Sequence, residues 1–314
     1  MPGTPPTLPA LLLVAAALVV AAALLLRTRR GEPSGTGRRR RPRDRGQNVV
    51  DSAQGMFGSL RVLSLVWEDG EPVRVLASEG SFQSATYVAE ASWYVPVFEY
   101  YYLYDLLFEL GLPVRRVLML GGGGYSYPKW LLVNHPQVHM DVVEIDPVVT
   151  GLARDYFYLD RLEGLFGEKG TQAPGALGLV QGDGRAYLEH TGARYDAILN
   201  DTFSGKEPTP TLASLQAARL AHDRLVPGGA YLANVIGSLE GRRARYPRSV
   251  VRTLGQVFAH VYIVPCGRRD PSKLGNNMVV ATDSDAPFPA GFELATTEAD
   301  QILLDPTART GLDS

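Results

Sequence analysis

From Val114 onward the apolar residues concentrate in short runs, each followed by a segment with helical spacing. The runs are Val117–Leu120, His139–Ile145, Leu177–Val180, Tyr195–Leu199 and Ala230–Val235. Mostly apolar runs of that length predict buried strands. The segments after them predict helices: Lys129–Val133 opened by Pro128, then Pro147–Tyr156, Arg185–His190, Thr211–Leu225 and Tyr246–Phe258. Five strand–helix repeats imply a mostly parallel, doubly wound sheet with helices on both faces. Val261–Val264 and Met278–Ala281 have only a loop between them, which predicts a closing antiparallel hairpin.

Upstream the pattern is different. Leu60–Trp67, Val73–Ala77 and Ser81–Val88 are separated by turn signals at Glu68–Pro72 and Ser78–Gly80, and predict a small antiparallel sheet. Val97–Leu110 sets Val97, Tyr101, Tyr104 and Phe108 on one helical stripe that ends at Gly111 and Pro113. The tyrosines read first as a packed face.

The chemistry is expected where the strands end, because a doubly wound sheet binds ligands beyond the carboxyl ends of its strands. The first strand runs into Gly121, Gly122, Gly123 and Gly124 before a helix start, a loop whose main chain can lie close to a nucleoside. Acids follow the next three strands: Glu144 with Asp146, Asp183 between Gly182 and Gly184, and Asp201. Glu144, 23 residues past Gly121, is placed to accept hydrogen bonds from ribose hydroxyls. Asp183 suits an adenine amino group, its flanking glycines permitting close approach. A plainer role also applies to Asp146 and Asp183, which precede helices and can cap them.

Charge and composition narrow the setting. Pro9–Leu26 holds only Pro, Leu, Val and Ala, and nine arginines follow between Arg27 and Arg45 with Glu32 and Asp44 as the only acids. An apolar run with its basic residues after it is a membrane anchor rather than a cleaved signal, with the arginine side in the cytoplasm. From Gly46 onward 22 basic and 31 acidic residues leave a net charge of −9, which argues against a nucleic-acid partner. The single Cys266 excludes an internal disulfide and a cysteine-rich zinc site, and His135 and His139, with Pro136 between them, cannot share a helical face to hold a metal. The expected organisation is an anchor over residues 1–30, a solvated linker over 31–48, a small β domain plus helix over 49–112, the adenosyl-binding domain over 113–286 and a polar tail over 287–314.

The motifs Phe82–Tyr87 (FQSATY), Leu120–Gly123 (LGGG), Val143–Asp146 (VEID), Gly182–Gly184 (GDG) and Tyr195–Asp201 (YDAILND) carry a resemblance. From about Val49 to Asp283 the chain resembles the spermidine synthases, aminopropyltransferases that use decarboxylated S-adenosylmethionine, and especially their membrane-tethered spermidine synthase-like relatives. The resemblance implies a Rossmann-like class I methyltransferase fold and a part in polyamine biosynthesis. It also implies that Gly121, Gly122, Gly123, Glu144, Asp183, Gly184 and Gln83 line the adenosyl pocket, and that Asp201 helps deprotonate an attacking amine. Two positions depart from the family pattern: Gly124 stands where the family has an aspartate, and Ser204 where it has a second acid after the catalytic one. A doubly charged diamine needs opposite charge to repay its desolvation, so both departures weaken the case for one.

Three function classes stay open: aminopropyl transfer to a small amine, methyl transfer from S-adenosylmethionine to another acceptor, and non-catalytic adenosyl binding at a membrane. The co-substrate expected is S-adenosylmethionine or its decarboxylated form, with no metal; a homodimer is compatible with the sequence.

Overall fold

The computed structural model describes residues 48–78, 80–167, 175–204, 207–267, 270–288 and 291–306. The anchor and linker expected before residue 48 lie outside the described residues. Among the described residues no helix is long and apolar enough to cross a membrane.

Four antiparallel strands come first, in the order β1 (Asn48–Gly55), β2 (Gly58–Val66), β3 (Pro72–Ser78) and β4 (Ser81–Tyr87). β1 was not legible, since NVVDSAQG has little apolar alternation and is largely exposed. The alternation in β2 and β3 sorts side chains between two cores: Leu63, Val73 and Val75 pack in a small cluster, while Leu60, Val62 and Leu76 join the main core. On β4, Ser84 pairs with Leu76 and Phe82 with Ala77, so Gln83 is the extra residue of a bulge.

The expected helix over Val97–Leu110 is a 3₁₀ helix over Glu99–Glu109. Its buried residues are Tyr101, Tyr104, Leu106 and Leu107, of which Tyr101, Tyr104 and Leu107 recur every third residue, as three residues per turn require. Phe108, expected on the buried stripe, instead stacks on His135 at 4.1 Å between ring centroids.

The second sheet is the predicted one. Its strands are β5 (Arg116–Leu120), β6 (His139–Glu144), β7 (Leu177–Gln181), β8 (Tyr195–Asn200), β11 (Leu225–Gly237), β12 (His260–Pro265) and β13 (Gly275–Thr282). The short β9 (Phe203–Ser204) and β10 (Glu207–Pro208) pair with each other. The order is β12-β13-β11-β8-β5-β6-β7, parallel from β11 to β7, with β13 antiparallel to both β11 and β12. Along β5, Val117 and Met119 face one core and Leu118 and Leu120 the other, which is why the run is apolar without alternation. The helices are α1 (Ser126–Asn134), α2 (Pro147–Tyr156), α3 (Leu159–Phe166), α4 (Gly184–His190), α5 (Leu215–Asp223) and α6 (Arg245–Leu254).

The polar tail is tied down rather than loose. Arg185 makes two hydrogen bonds to Asp305, at 3.2 and 3.1 Å, and the Leu303 carbonyl accepts from Leu215 N. At the amino ends of the strands, Asp141 interrupts the apolar β6. Arg116 Nη2 and the Tyr195 hydroxyl donate to its Oδ2 at 2.9 and 2.8 Å, and His139 Nε2 lies 2.8 Å from its Oδ1. Burial alone raises the Asp141 pKa, but hydrogen bonds from His139, Tyr195 and Arg116 outweigh it and hold the carboxyl below its usual range.

A folded-state pKa below the unfolded one stabilises the protein above the ordinary carboxylate pKa, and that stability is lost as pH falls through the folded value. Asp141→Ala should therefore cost about 3–5 kcal/mol near pH 7, as for a broken buried ion pair. In urea unfolding the gap to wild type should shrink as pH drops below about 4.

Candidate active site

β5 ends at Leu120, and the chain turns through Gly121, whose N–H donates to the Val143 carbonyl at 2.9 Å. Gly121 has φ +91°, and a Cβ there would sit 2.8 Å from the Asp201 carbonyl oxygen, so only glycine fits. Glu144, at the end of β6, reaches across to this loop. Its Oε2 accepts from Gly122 N at 2.8 Å and Gly123 N at 3.1 Å, and its Oε1 from Asp146 N at 2.9 Å. Glu144, Gly121, Gly122 and Gly123 are thus brought together.

Asp146 and Asp183 both take the capping role. Asp146 Oδ1 accepts from Val148 N at 2.9 Å, opening α2, and its Oδ2 accepts from Met56 N at 2.7 Å in the β1–β2 turn. Asp183 Oδ1 accepts from Ala186 N at 2.8 Å, opening α4. Asp183 is exposed one strand beyond Glu144, with Gly184 packed against Leu120 and Leu212 behind it. Gln83 is half-buried at the β4 bulge, beside Ser84, which approaches Gly124.

Asp201 follows β8, with its N–H bonded to the Leu120 carbonyl at 3.0 Å, so it stands beside the first glycine. The Tyr100 hydroxyl donates to its Oδ2 at 3.0 Å, and Asn234 Nδ2 donates to its Oδ1 at 2.9 Å. Asn276 Nδ2 in turn donates to Asn234 Oδ1 at 3.0 Å, fixing the amide. Burial raises the Asp201 pKa, and hydrogen bonds from Asn234, Tyr100 and Tyr101 reverse part of that rise. The outcome is a carboxyl whose pKa is raised above its ordinary value. The Tyr104 hydroxyl donates to the Asn200 carbonyl at 3.1 Å, holding the same strand end.

Tyr100, Asn234 and Asn276 escaped the sequence reading. The tyrosine run from Tyr100 to Tyr102 was the one available signal, and it was read as packing. Asn234 lies inside an apolar strand, where a polar residue marks either an edge or a buried partner.

Gly124 is crowded: a Cβ there would lie 2.6 Å from Ser84 Oγ and 3.0 Å from Phe157 Cδ1, so any side chain would force these two to shift. Ser204 lies on β9, and its side chain is outside the description. Behind Gly124 is a buried amine that sequence reasoning placed on an ordinary amphipathic helix. Lys129 Nζ donates to Thr86 Oγ1 at 3.0 Å and to the Phe157 carbonyl at 2.9 Å. Burial lowers its pKa to about 7. Among the described residues no group of three or more His, Cys, Asp or Glu side chains is arranged to hold a metal.

Strand order and glycine loop define a class I methyltransferase-type fold. No family model matches the chain. It is similar to the polyamine aminopropyltransferase of Vibrio vulnificus, 32% identical over 127 residues, which are 40% of this chain and 38% of that protein. It is also similar to polyamine aminopropyltransferase 2 of Hyperthermus butylicus, 29% identical over 191 residues, 60% of this chain and 57% of that one. The chain therefore spans about two fifths to three fifths of these curated relatives. Among solved structures, a probable spermidine synthase from Corynebacterium glutamicum shares the fold with a TM-score of 0.59 at 20% identity, over 75% of this chain and 81% of that one. A spermidine synthase in complex with the transition state analogue AdoDATO does so with a TM-score of 0.59 at 17% identity, over 79% and 81%.

Lys129 supplies a test of the site's packing. Its folded pKa is depressed, so its contribution to stability is greatest above the unfolded pKa near 10.5 and falls as pH drops toward 7. Between pH 7.5 and 9.5 the wild-type unfolding free energy should gain about 1.4 kcal/mol per pH unit from this group. Lys129→Met should remove that slope in urea titrations; an unchanged slope would mean that the amine is charged in the folded state.

Proposed function

We propose that the chain is a transferase of the aminopropyltransferase type that uses decarboxylated S-adenosylmethionine as co-substrate and an amine as acceptor. The observation that carries this reading is the Asp201 carboxylate, raised in pKa by burial and fixed by Tyr100 and Asn234 beside the glycine loop. The similarity to polyamine aminopropyltransferases supports it, as does a fold shared with a spermidine synthase that binds AdoDATO. In this reading Gly121 to Gly123 and Glu144 hold the ribose, Asp183 with Gly184 meets the adenine, and Gln83 closes the pocket from the β4 bulge.

Asp201 takes the proton of the incoming ammonium, and the freed amine attacks the carbon beside the sulfonium. The carbon–sulfur bond breaks with its electron pair going to sulfur, and methylthioadenosine leaves. A carboxylate whose pKa is raised by burial accepts a proton more readily than an ordinary surface aspartate. Tyr100 and Asn234 aim it, each spending its hydrogen on one carboxylate oxygen.

One observation favours a second reading. Gly124, crowded by Ser84 and Phe157, carries no anion that would repel the carboxylate of a donor tail, which suits methyl transfer from intact S-adenosylmethionine. Product analysis separates the two: methylthioadenosine marks aminopropyl transfer, and S-adenosylhomocysteine marks methyl transfer.

Asp201→Asn should lower turnover by about 10²–10⁴-fold with the circular dichroism spectrum unchanged. Asn234→Ala removes a hydrogen bond that lowers the Asp201 pKa, so the acidic limb of kcat/KM against pH should move to higher pH. Full activity of the Asp201 variant would make that carboxylate structural. Glu144→Ala should weaken methylthioadenosine binding by about 1–3 kcal/mol in thermal-shift titrations.

The apolar Pro9–Leu26 and the arginines after it support a single-pass anchor at the cell membrane with the folded part in the cytoplasm. Protease added to intact cells should leave the chain from Gly46 onward uncut, and digestion of that part would reverse the topology.

A further inference from the structure

The part of the chain from Gly46 onward is acidic overall, yet Arg242, Arg243, Arg245 and Arg248 crowd into seven residues, with no acid between Gly241 and Gly267. They lie on the 3₁₀ turn Arg242–Ala244 and the first turns of α6, immediately beyond the carboxyl end of β11. Arg242, Arg243 and Arg245 are exposed. Among the described residues none of the four forms an ion pair, and Arg248 Nε is buried without a hydrogen-bond partner. A buried guanidinium N–H normally has an acceptor, and among the described residues this one has none.

The cluster follows the carboxyl end of β11, the strand whose Asn234 bonds Asp201. Asn234, which holds Asp201, precedes Gly237 on β11 by three residues, about 10 Å along a strand. Gly237 packs on Pro247 of α6, and Ser238 N donates to the Arg243 carbonyl at 3.4 Å. A cavity of about 30 Å³ is lined by Asn234 and Thr202 on one side and by Tyr246 and Val250 of α6 on the other. The groups that bond Asp201 directly are neutral, namely Tyr100, Tyr101 and Asn234, with Asn276 behind Asn234. Acids near this segment include Glu240 and Asp270, the latter brought in by Leu239 N and Glu240 N donating to the Pro271 carbonyl, while Glu99 faces Gly267.

We infer that the acceptor is an amine carrying an acid group, its nitrogen delivered to Asp201 and its carboxylate or phosphate held by the arginines beyond β11, rather than a diamine. This rests on the aminopropyl-transfer reading above. A second ammonium would meet the arginine cluster beyond β11. A carboxylate meets planar guanidinium forks that match it with two hydrogen bonds. The reaction balances as before: nitrogen–carbon bond formed, carbon–sulfur bond broken, electron pair to sulfur, proton to Asp201. Only the far end of the acceptor differs.

The test uses the full-length chain, decarboxylated S-adenosylmethionine and three four-carbon acceptors: 4-aminobutanoate, 1,4-diaminobutane and butylamine. Methylthioadenosine release should give 4-aminobutanoate a kcat/KM about tenfold or more above the diamine, the worth of a hydrogen bond to a charged group. The pair Arg243→Gln and Arg245→Gln should erase that preference mainly through KM, and Arg243→Lys with Arg245→Lys should restore part of it. A preference for the diamine overturns the inference and leaves aminopropyl transfer standing. Methylthioadenosine from none of the three overturns both. If the Gln pair keeps the acceptor ratio but loses binding to phosphatidylglycerol vesicles, the arginines serve a lipid surface and the inference fails.

Discussion

The carboxylate of Glu144 is the tie on which the candidate site depends. It gathers the N–H groups of Gly122, Gly123 and Asp146, three backbone donors that helix starts and tight turns leave without partners. Because the glycine loop hangs from β5 and Glu144 ends β6, this one side chain fixes the spacing of two adjacent strand ends. Acceptance of several hydrogen bonds by one buried carboxylate organises the glycine loop. A ligand at this place meets a preorganised frame, which lowers the ordering cost of binding.

A second constraint is the burial of Asp201. A carboxylate in a low-dielectric setting is costly, and the protein offsets that cost with neutral donors instead of a cation. A guanidinium in that place would hold the charge more firmly but would pull the pKa down and spoil the base. Tyr100 and Asn234 hold the carboxylate in place while leaving it able to take a proton. The 3₁₀ helix contributes by its period: Tyr101 and Tyr104 turn into the core while Tyr100, one step off that row, turns to the strand end.

The small antiparallel sheet is bound to the site by polar contacts as well as apolar ones. Ser84 Oγ lies 3.0 Å from Ser126 Oγ, Thr86 accepts from Lys129, and Met56 N donates to Asp146. These contacts explain how Gln83 comes to stand near the loop, and they bring Ser84 into the space that a side chain at Gly124 would need.

The sequence by itself determined the sheet. Mostly apolar runs mark buried strands, a glycine run after the first marks a loop that must turn with positive φ, and acids after three strands mark the ligand end. These are local signals, each carried by a few consecutive residues. It also held the alternative roles of Asp146 and Asp183 as caps, which the structure bears out through Val148 N and Ala186 N. What only the tertiary structure decided depends on residues far apart in the chain. Tyr100 reaches Asp201 across 101 positions, Asn276 reaches Asn234 across 42, and Lys129 loses its water to β4 and Phe157. No periodicity or motif encodes which tyrosine of a run meets an acid, or that a lysine in an amphipathic pattern ends up buried. Those outcomes follow from strand order and helix register, which set distances that a linear reading does not contain.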